Sequence, residues 1–474
     1  MPFYPTAKAL PQHFRLVLSS FMQHSDLPFA EVLPEEKIQQ AFDEENCTFA
    51  QDDEAVYTPA LTVWAFLSQV LFKQEQRSCV AAVARVVVLL VSLGRKPPSA
   101  NTGAYCRARS KLPVAIVRRL TLSVGQGCEQ RVPQGWLWRG RHVSLVDGSC
   151  ASMPDTPENQ KVFPQPTSQQ EGLGFPLVRL VILLSLATGM LTGMALAPYA
   201  GKETGETALL RELLDYLQPG EVVLADRYFC SYFMIAMLLE RGVDVVTRLH
   251  QRRSADFRRG QRLGQGDHLV VWTRPVKPDW MDQETYQRMP ATLTVREVHV
   301  QIKEPGCRVD SLVVVTTLLD AEKYTSEDLA ELYHQRWLLE LDIRAIKTTL
   351  GMDVLRCKTP EMVVKEIWTH LLAYNLIRQS MLQAALAKKR SPRQLSFTAA
   401  LQTLGASWMI LALADETMLL ALVATNLKHL ATHLIGDRPG RVEPRAIKRR
   451  PKPHPLLTKP RAEARAKLLG SASN

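Results

Sequence analysis

The sequence has few of the features that mark exported or membrane proteins. None of its eight cysteines is spaced as a C-x-x-C pair, and their wide separation argues against both a zinc ribbon and a disulfide framework. The two longest apolar runs, Val80–Leu93 and Met409–Thr425, contain charged residues, so neither offers the roughly 18 charge-free residues that a membrane span needs. The N-terminus lacks the basic and then apolar layout of a signal peptide. We therefore expect a cytoplasmic protein with no membrane segment.

Positive charge is in excess and is concentrated at the C-terminus. Lys and Arg number 58 against 47 Asp and Glu, a formal net charge of +11, which favours a polyanionic partner such as nucleic acid. Residues 438–467 hold eleven basic and two acidic residues, or +9 of that total, together with six prolines. We predict an extended tail whose cations, Arg449 and Arg450 among them, contact phosphates. A solvated tail without a partner would have the same composition.

The period of the apolar residues divides the chain into four regions. Residues 1–135 and 351–435 have helical periodicity, and residues 436–474 form the basic tail. Residues 136–350 alternate strand and helix patterns, and the stretch 250–320 is predicted to be all-β. The predicted fold class is α/β, with one mixed sheet flanked by helical N- and C-terminal regions.

Two aspartates follow apolar strands within the α/β region. Asp147 ends the strand in RHVSLVDGS, and Asp226 ends the strand in EVVLADRYF. In open α/β sheets, sites form at the carboxyl ends of strands. Each residue also has a simpler interpretation, since Asp147-Gly148 is a common hairpin turn and Asp226 is able to pair with Arg227.

A third acid lies in the segment YHQRWLLELDIRAIK. On a continuous α-helix, Tyr333, Arg336, Glu340 and Lys347 fall within about 60° of one another along about 21 Å. They lie beside an apolar stripe that faces the core. An exposed row of salt bridges, with Glu340 paired to Arg344 four residues on, is the alternative interpretation.

Capping signals give this helix its boundaries. Thr325 with Asp328 three residues later is the pattern of a capping box, and Gly351 is suited to end the helix. We therefore predict one helix from about residue 326 to residue 350.

The three acids have a common explanation if the fold brings them together. Asp147, Asp226 and Glu340 would repel one another strongly unless a cation lay between them. Mg²⁺ prefers oxygen ligands, and two such ions about 4 Å apart can activate an attacking oxygen and stabilise a leaving oxygen in phosphoryl transfer. The phenol and the cations on the same helix would then bind substrate phosphates.

These residues also resemble a known family. The spacing Y-x2-R-x3-E-x6-K at Tyr333, Arg336, Glu340 and Lys347 is similar to the YREK motif of DDE transposases from bacterial insertion sequences, the insertion-sequence-four superfamily. VDGS and LADRYF resemble the first and second aspartate regions of that family, and the likeness covers the chain from about residue 60 onward. Ser149 stands where a threonine is expected, a change that should not disturb metal binding.

The resemblance implies an RNase H-like catalytic core with a β-rich insertion between the second aspartate and the glutamate. It implies Mg²⁺, or Mn²⁺ in its place, at Asp147, Asp226 and Glu340. The implied reaction is cut-and-paste transposition, in which the element ends are hydrolysed and the freed 3′-hydroxyl attacks target DNA. The implied partners are double-stranded DNA, comprising terminal inverted repeats and target, and a second copy of the chain in the synaptic complex. Residues 1–135 would bind the DNA ends, and residues 351–435 are the candidate dimer contact.

In this family the excised ends pass through a hairpin whose flipped base stacks on an aromatic residue of the insertion. Trp280 or Trp272 would fill that role here, although an isolated tryptophan in a β-rich region more often belongs to the core. Tyr333, Arg336 and Lys347 would hold the neighbouring phosphates. Two other functions stay open on the sequence: a transposase-derived DNA-binding protein without catalysis, and a structure-selective nuclease that cuts but does not join strands.

Overall fold

A single mixed sheet forms the centre of the computed structural model, which describes residues 13–50, 55–302, 310–436 and 455–471. In that part of the chain the sheet has nine strands in the order β3-β2-β1-β4-β5-β9-β8-β7-β6. The strands are β1 (Val143–Ser152), β2 (Leu177–Ser185), β3 (Leu191–Pro198), β4 (Val222–Ala225), β5 (Asp244–Arg248), β6 (Gln261–Gly264), β7 (Asp267–Thr273), β8 (Thr292–Gln301) and β9 (Ser311–Thr316).

The first five strands form the core predicted from the sequence. β1, β2 and β3 are antiparallel neighbours, whereas β4 and β5 run parallel to β1. This is the mixed RNase H-like arrangement, so the predicted fold class is confirmed. Gly189, with a φ of +74°, lies in the turn between β2 and β3, a conformation that glycine adopts without a steric penalty.

The β-rich insertion extends the central sheet and contains a helix that the sequence did not predict. Its strands β6 to β9 continue the same sheet, because β9 pairs with β5 and β8 pairs with β9. It is also not all-β, since Gln283–Arg288 forms a short helix capped by the Asp282 side chain. Polar-rich sequence between the strands did not distinguish this helix from a loop.

Sixteen helices surround the sheet in the described residues. Those before it are α1 (Arg15–Ser20), α2 (Glu35–Glu44), α3 (Pro59–Leu71), α4 (Cys79–Ser92), α5 (Gly103–Lys111) and α6 (Val114–Glu129). Those between strands are α7 (Pro157–Val162), α8 (Glu206–Glu212), α9 (Tyr232–Glu240) and α10 (Gln283–Arg288). Those after the last strand are α11 (Ser326–His334), α12 (Trp337–Arg344), α13 (Pro360–Ala387), α14 (Phe397–Leu413), α15 (Glu416–Thr432) and α16 (Arg461–Ser471).

Both faces of the sheet are buried. Alternate strand residues point to opposite faces, so Leu145 joins a core shared with the helices of both chain ends, while Val146 joins a second core with α8 and α9. Helix α13 lies in the first core and packs against α3, α6, α14 and α15. Most of its 28 residues are buried. None of the helices in the described ranges is both long enough and apolar enough to span a membrane.

The helix predicted for residues 326–350 is not continuous, and that prediction was wrong. The capping box of Thr325 and Asp328 is present, and Gly351 has a φ of +76° just beyond the last turn. Between these ends, the chain switches to i→i−3 hydrogen bonds, from Arg336 N to Tyr333 O (3.1 Å) and from Leu339 N to Arg336 O (3.0 Å). Such bonds tighten the turn and change the direction of the helix axis, so α11 and α12 are separate helices. A π-helix, Ala345–Thr349, follows α12.

The tail also departs from the expectation of an extended segment, because Arg461–Ser471 is helical. Arg461, Glu463 and Arg465 lie on this short helix, and Lys459, just before it, pairs with Glu463 at 2.7 Å. Arg449 and Arg450 lie outside the described residues.

Candidate active site

Two of the predicted acids are adjacent because of the register of β1 and β4. The parallel pairing of these strands ends with Val146 opposite Ala225, so Asp147 and Asp226 occupy the next position on each strand. Neighbouring strands are about 4.8 Å apart, and residues at matching positions point to the same face. The two carboxylates therefore lie side by side where the pairing of β1 with β4 ends, near the middle of the sheet.

Neither aspartate has the simpler role that the sequence allowed. Asp147-Gly148 is not a turn, because β1 continues through both residues to Ser152 and pairs with β2 along that length. The Asp147 Oδ1 atom accepts a hydrogen bond from Gly148 N (2.8 Å). Asp226 caps a short 3₁₀ turn, and its Oδ1 accepts from Tyr228 N (2.8 Å).

The environment of Asp147 disfavours its charged form. The pKa of this carboxyl is raised to about 6, chiefly by burial; the Gly148 N–H and Arg336 lower it, and the carboxylates of Asp226 and Glu206 contribute to the rise. Crowding of carboxylates in a partly desolvated place is the usual origin of such a shift. A perturbed acid in a cluster of this kind is typical of a functional site.

Glu206 is a fourth acid at this place, and the sequence reasoning did not find it. It stands in the first turn of α8, and burial and then Asp226 raise the pKa of its carboxyl against the effect of Arg179. Its carboxyl carbon lies over the backbone of Gly148, where an added Cβ would be 2.2 Å from it. The glycine at position 148 was the sequence feature that could have indicated a close neighbour at this place, because any larger residue after Asp147 would displace Glu206.

Glu340 is linked to Asp147 by the side chain of Arg336, which lies between the two carboxylates. Arg336 Nη2 donates to Glu340 Oε1 (3.4 Å), and Arg336 Nη1 lies 3.9 Å from Asp147 Oδ2. The Asp147 side chain is 26% exposed and the Glu340 side chain 67%. Helix α12 packs against β1, so Glu340 lies at the rim of the same cluster. Glu340 pairs with Arg336. The alternative interpretation, an exposed row of salt bridges, requires a pair with Arg344 instead.

Tyr333 belongs to this cluster as well. Burial raises the pKa of its phenol, Asp226 raises it further, and Arg336 and Arg248 lower it. Lys347 lies on the π-helix, close enough to Cys150 to oppose the rise that burial causes in the pKa of that thiol. Tyr333 and Arg336 thus lie beside the acids, whereas Lys347 lies near Cys150 on the strand of Asp147, and the helix that was predicted to carry all of them is broken.

The two tryptophans of the insertion have different surroundings. Trp272 is 6% exposed, donates from Nε1 to Glu297 Oε1 (3.3 Å) and lies under the Arg253 guanidinium. Trp280 is 36% exposed and is covered by the Arg211 guanidinium, 3.9 Å from the ring centroid.

The donor chemistry suits a hard divalent ion, because the clustered side chains offer carboxylate oxygens, the ligands that Mg²⁺ prefers. Within the described ranges, however, no three His, Cys, Asp or Glu side chains are already arranged to hold a metal. The Arg336 guanidinium lies between Glu340 and Asp147.

Metal binding is expected to weaken in mildly acidic solution. Asp147 has a raised pKa of about 6, so below that pH it binds a proton that a metal ion must displace. We expect the logarithm of the Mn²⁺ affinity to fall by about one per pH unit below about pH 6, measured by calorimetric titration. An affinity independent of pH between 5 and 7 would show that Asp147 is not a ligand.

The sheet order and the acids beside β1 and β4 define an α/β enzyme with an RNase H-like core. Residues 138–376 match the family described as Transposase DDE domain. The chain is 27% identical over 402 residues to the transposase InsG for insertion sequence element IS4 of Escherichia coli K12, covering 84% of this chain and 87% of that protein. It is 38% identical over 65 residues to the putative transposase InsL for IS186A of the same strain, covering 14% and 18%.

Among solved structures, a piggyBac transposase synaptic complex with hairpin DNA is similar, with a TM-score of 0.42 and 12% identity over 91% of this chain and 89% of that one. The chain belongs to the DDE transposases of bacterial insertion sequences. It is therefore a DNA-cleaving and strand-transferring enzyme, and its family uses divalent metal ions.

Proposed function

We propose that the chain carries out cut-and-paste transposition of an insertion sequence with a divalent-ion site formed by Asp147, Asp226 and Glu340. The observation that supports this most strongly is the register of β1 and β4, which puts two aspartates next to each other. The raised pKa of Asp147 and the approach of Glu340 through Arg336 also support it.

Each residue has a distinct part in this proposal. Asp147 and Asp226 would hold Mg²⁺, or Mn²⁺ in its place, with Glu340 completing the set, and two ions are expected. The bound ions would supply Lewis acidity for phosphodiester hydrolysis and strand transfer. Tyr333, Arg336 and Lys347 would bind the phosphates of the DNA strand.

Arg336 has two carboxylates as neighbours in the protein and would exchange them for a DNA phosphate. A guanidinium binds a phosphate in a bidentate geometry, so the residue is suited to both partners. DNA would then draw Arg336 away from Asp147 and Glu340 and leave their oxygens free.

Replacement of Arg336 by alanine is therefore expected to raise the Mn²⁺ affinity of the DNA-free protein by about tenfold, because one cation no longer competes for the carboxylates. Cleavage should nevertheless fall, since alanine cannot bind the DNA phosphate. Calorimetric titration with Mn²⁺ measures the first effect. Arg139→Ala, which removes an arginine paired with Asp328, is the matched control. A decreased Mn²⁺ affinity in Arg336→Ala would contradict this exchange.

Trp280 is the better candidate for stacking on a flipped base. Its ring is partly exposed, as stacking on a base requires, and the Arg211 guanidinium that covers it would have to move aside. Trp272 has the buried, hydrogen-bonded surroundings of a core residue.

The basic tail is expected to add non-specific affinity for DNA. Deleting residues 438–474 removes the eleven cations counted between Arg438 and Lys467. DNA binding should weaken, and its salt dependence should become shallower by about 0.9 for each phosphate that the tail neutralises in the full chain. Binding of the full and shortened chains to one duplex at several salt concentrations measures this. Identical slopes would exclude the tail from the interface.

A second copy of the chain is the expected partner in the synaptic complex. Within residues 351–435, α13 is enclosed by other helices, whereas α14 and α15 expose Ile410, Met418 and Leu420. These two helices are the proposed contact between copies.

A strand-transfer assay tests the proposed function. The purified chain is incubated with Mg²⁺, a DNA duplex and a supercoiled target plasmid. The duplex carries the terminal repeat of the chain's own insertion sequence and is labelled at the 3′ end of one strand. The proposal predicts label joined to plasmid and no joining by Glu340→Gln. Cleavage without joining would favour a structure-selective nuclease. DNA binding without cleavage would favour a silent DNA-binding protein.

A further inference from the structure

Asp342, two residues after Glu340, is a buried acid that the proposed chemistry does not use. It is 1% exposed and accepts hydrogen bonds from two arginines: Oδ1 from Arg378 Nη2, and Oδ2 from Arg393 Nη1 at 2.6 Å. Residues two apart on an α-helix are about 200° apart around its axis. Asp342 therefore faces the protein interior while Glu340 faces the acids.

Both arginines come from elements beyond α12. Arg378 lies on α13, where its Nε donates to the Tyr374 hydroxyl (3.0 Å), and that hydroxyl donates to Gly189 O (2.7 Å). Arg393 lies in the 3₁₀ turn Pro392–Gln394 and donates from Nε to Leu186 O (2.7 Å).

The same network holds the turn that joins β2 to β3. Arg393 Nη2 also donates to Ser185 O, the last residue of β2. β2 pairs with β1, where Asp147 stands opposite Ile182. Asp342 thus connects the helix that carries Glu340 to the hairpin that adjoins the Asp147 strand.

Helix α12 is held by the packing of the fully buried Leu339 in the core and by the hydrogen bonds of Asp342. It has eight residues between a tightened turn and a π-helix, and so short a helix has no stable axis of its own. An apolar residue at position 342 would fill the space, but it would leave two buried guanidiniums without their acceptor.

We infer that Asp342 is a positioning residue for Glu340: through Arg378 and Arg393 it fixes the rotation of α12, and so the direction in which the Glu340 carboxylate points. This inference rests on the proposed role of Glu340 as a metal ligand. It assigns Asp342 no contact with DNA or metal.

Arg393→Lys is the informative variant, because Asp342→Ala would leave two unpaired buried cations and is expected not to fold. A lysine keeps the charge but cannot donate to Asp342, Leu186 O and Ser185 O in the planar fork of arginine. We expect Mn²⁺ affinity to fall about tenfold and kcat for cleavage to fall between tenfold and a hundredfold, with KM for DNA within twofold of the wild-type value.

Arg296→Lys is the matched control. Arg296 is also a buried arginine, with bonds to Asp267 Oδ1 (2.8 Å) and Tyr324 O (2.6 Å), but its partners lie in or beside the insertion. It should lose thermal stability as Arg393→Lys does and yet keep its Mn²⁺ affinity and its kcat. A structural role alone would give both variants the same profile.

The outcomes separate this inference from the proposed function. If Glu340→Gln loses Mn²⁺ binding and cleavage while folded Arg393→Lys keeps both, Asp342 does not position Glu340. If Glu340→Gln itself binds Mn²⁺ and cleaves as the wild type does, the proposed metal site is wrong. If Arg393→Lys does not fold while Arg296→Lys does, the network is needed for folding and the positioning role is rejected.

Discussion

Asp147→Asn is expected to cut DNA at least about a thousandfold more slowly than the wild type and yet to be more stable in the absence of metal. The slower cleavage follows because a metal ion contributes several kcal/mol to phosphoryl transfer, and each 1.4 kcal/mol is about a tenfold change in rate. The gain in stability follows from the raised pKa of Asp147, about 6.

The sign of the stability change depends on pH. A carboxyl with a raised pKa stabilises the folded state when it is protonated, and this contribution is lost as the pH rises from its unfolded pKa through about 6. At pH 7.5 the wild type has a buried carboxylate that repels its neighbours, whereas asparagine is neutral. The free energy of unfolding should therefore rise by about 1–3 kcal/mol at pH 7.5 and hardly at all near pH 4.

Urea unfolding at the two pH values, without divalent ions, measures the stability change, and a plasmid cleavage assay measures the rate. Asp215→Asn makes the same substitution at an exposed residue that pairs with Arg241 and should alter neither quantity. Cleavage by Asp147→Asn at the wild-type rate would remove Asp147 from the metal site. Lower stability at pH 7.5 would contradict the electrostatic account of the site.

Gly125→Ala is expected to destabilise the chain by about 3 kcal/mol or more, at the upper end of the usual cost of overpacking. Gly125 lies where α6 packs on β3, and a Cβ added there would be 1.8 Å from Leu191 O and 2.9 Å from Asn375 Nδ2. The nearer of these atoms belongs to the backbone, so α6 would have to move away from the sheet. Asn375 Nδ2 would then lose its hydrogen bond to Thr121 O, which belongs to α6.

The control for this change is Gly135→Ala, because a Cβ at that residue meets nothing within 4 Å. Thermal unfolding of the two variants gives the comparison, and only Gly125→Ala should lower the midpoint substantially. Equal midpoints would mean that the N-terminal helices are not seated on the sheet as described. The result bears on function, because α6 joins the predicted DNA-binding region to the catalytic core.

The positions of the aspartates could be predicted from the sequence because they depend on local pattern. The apolar runs before Asp147 and Asp226 predict strands, and the rule for strand ends predicts that acids there form a site. Thr325 with Asp328 predicted the start of α11 for the same reason, since a capping box is a local arrangement of side chains.

The remaining features depend on contacts between distant segments, which pattern does not show. The break at Arg336 appears only when α11 and α12 pack against different parts of the core. Glu206 approaches Gly148 because the β2–β3 hairpin returns the chain to β1, and nothing in its own segment marks it. Asp342 could not be distinguished from a surface acid until Arg378 and Arg393 were placed beside it.

Iron-directed cleavage of the protein tests the convergence of the three acids most directly. Fe²⁺ bound in place of Mg²⁺, with ascorbate and peroxide, produces hydroxyl radicals that cut the backbone close to the ion, and mass spectrometry locates the cuts. We predict cuts near residues 147, 226 and 340 in the same sample, suppressed together by excess Mg²⁺. Cuts confined to one of these segments, or cuts elsewhere that Mg²⁺ does not suppress, would contradict a shared divalent-ion site.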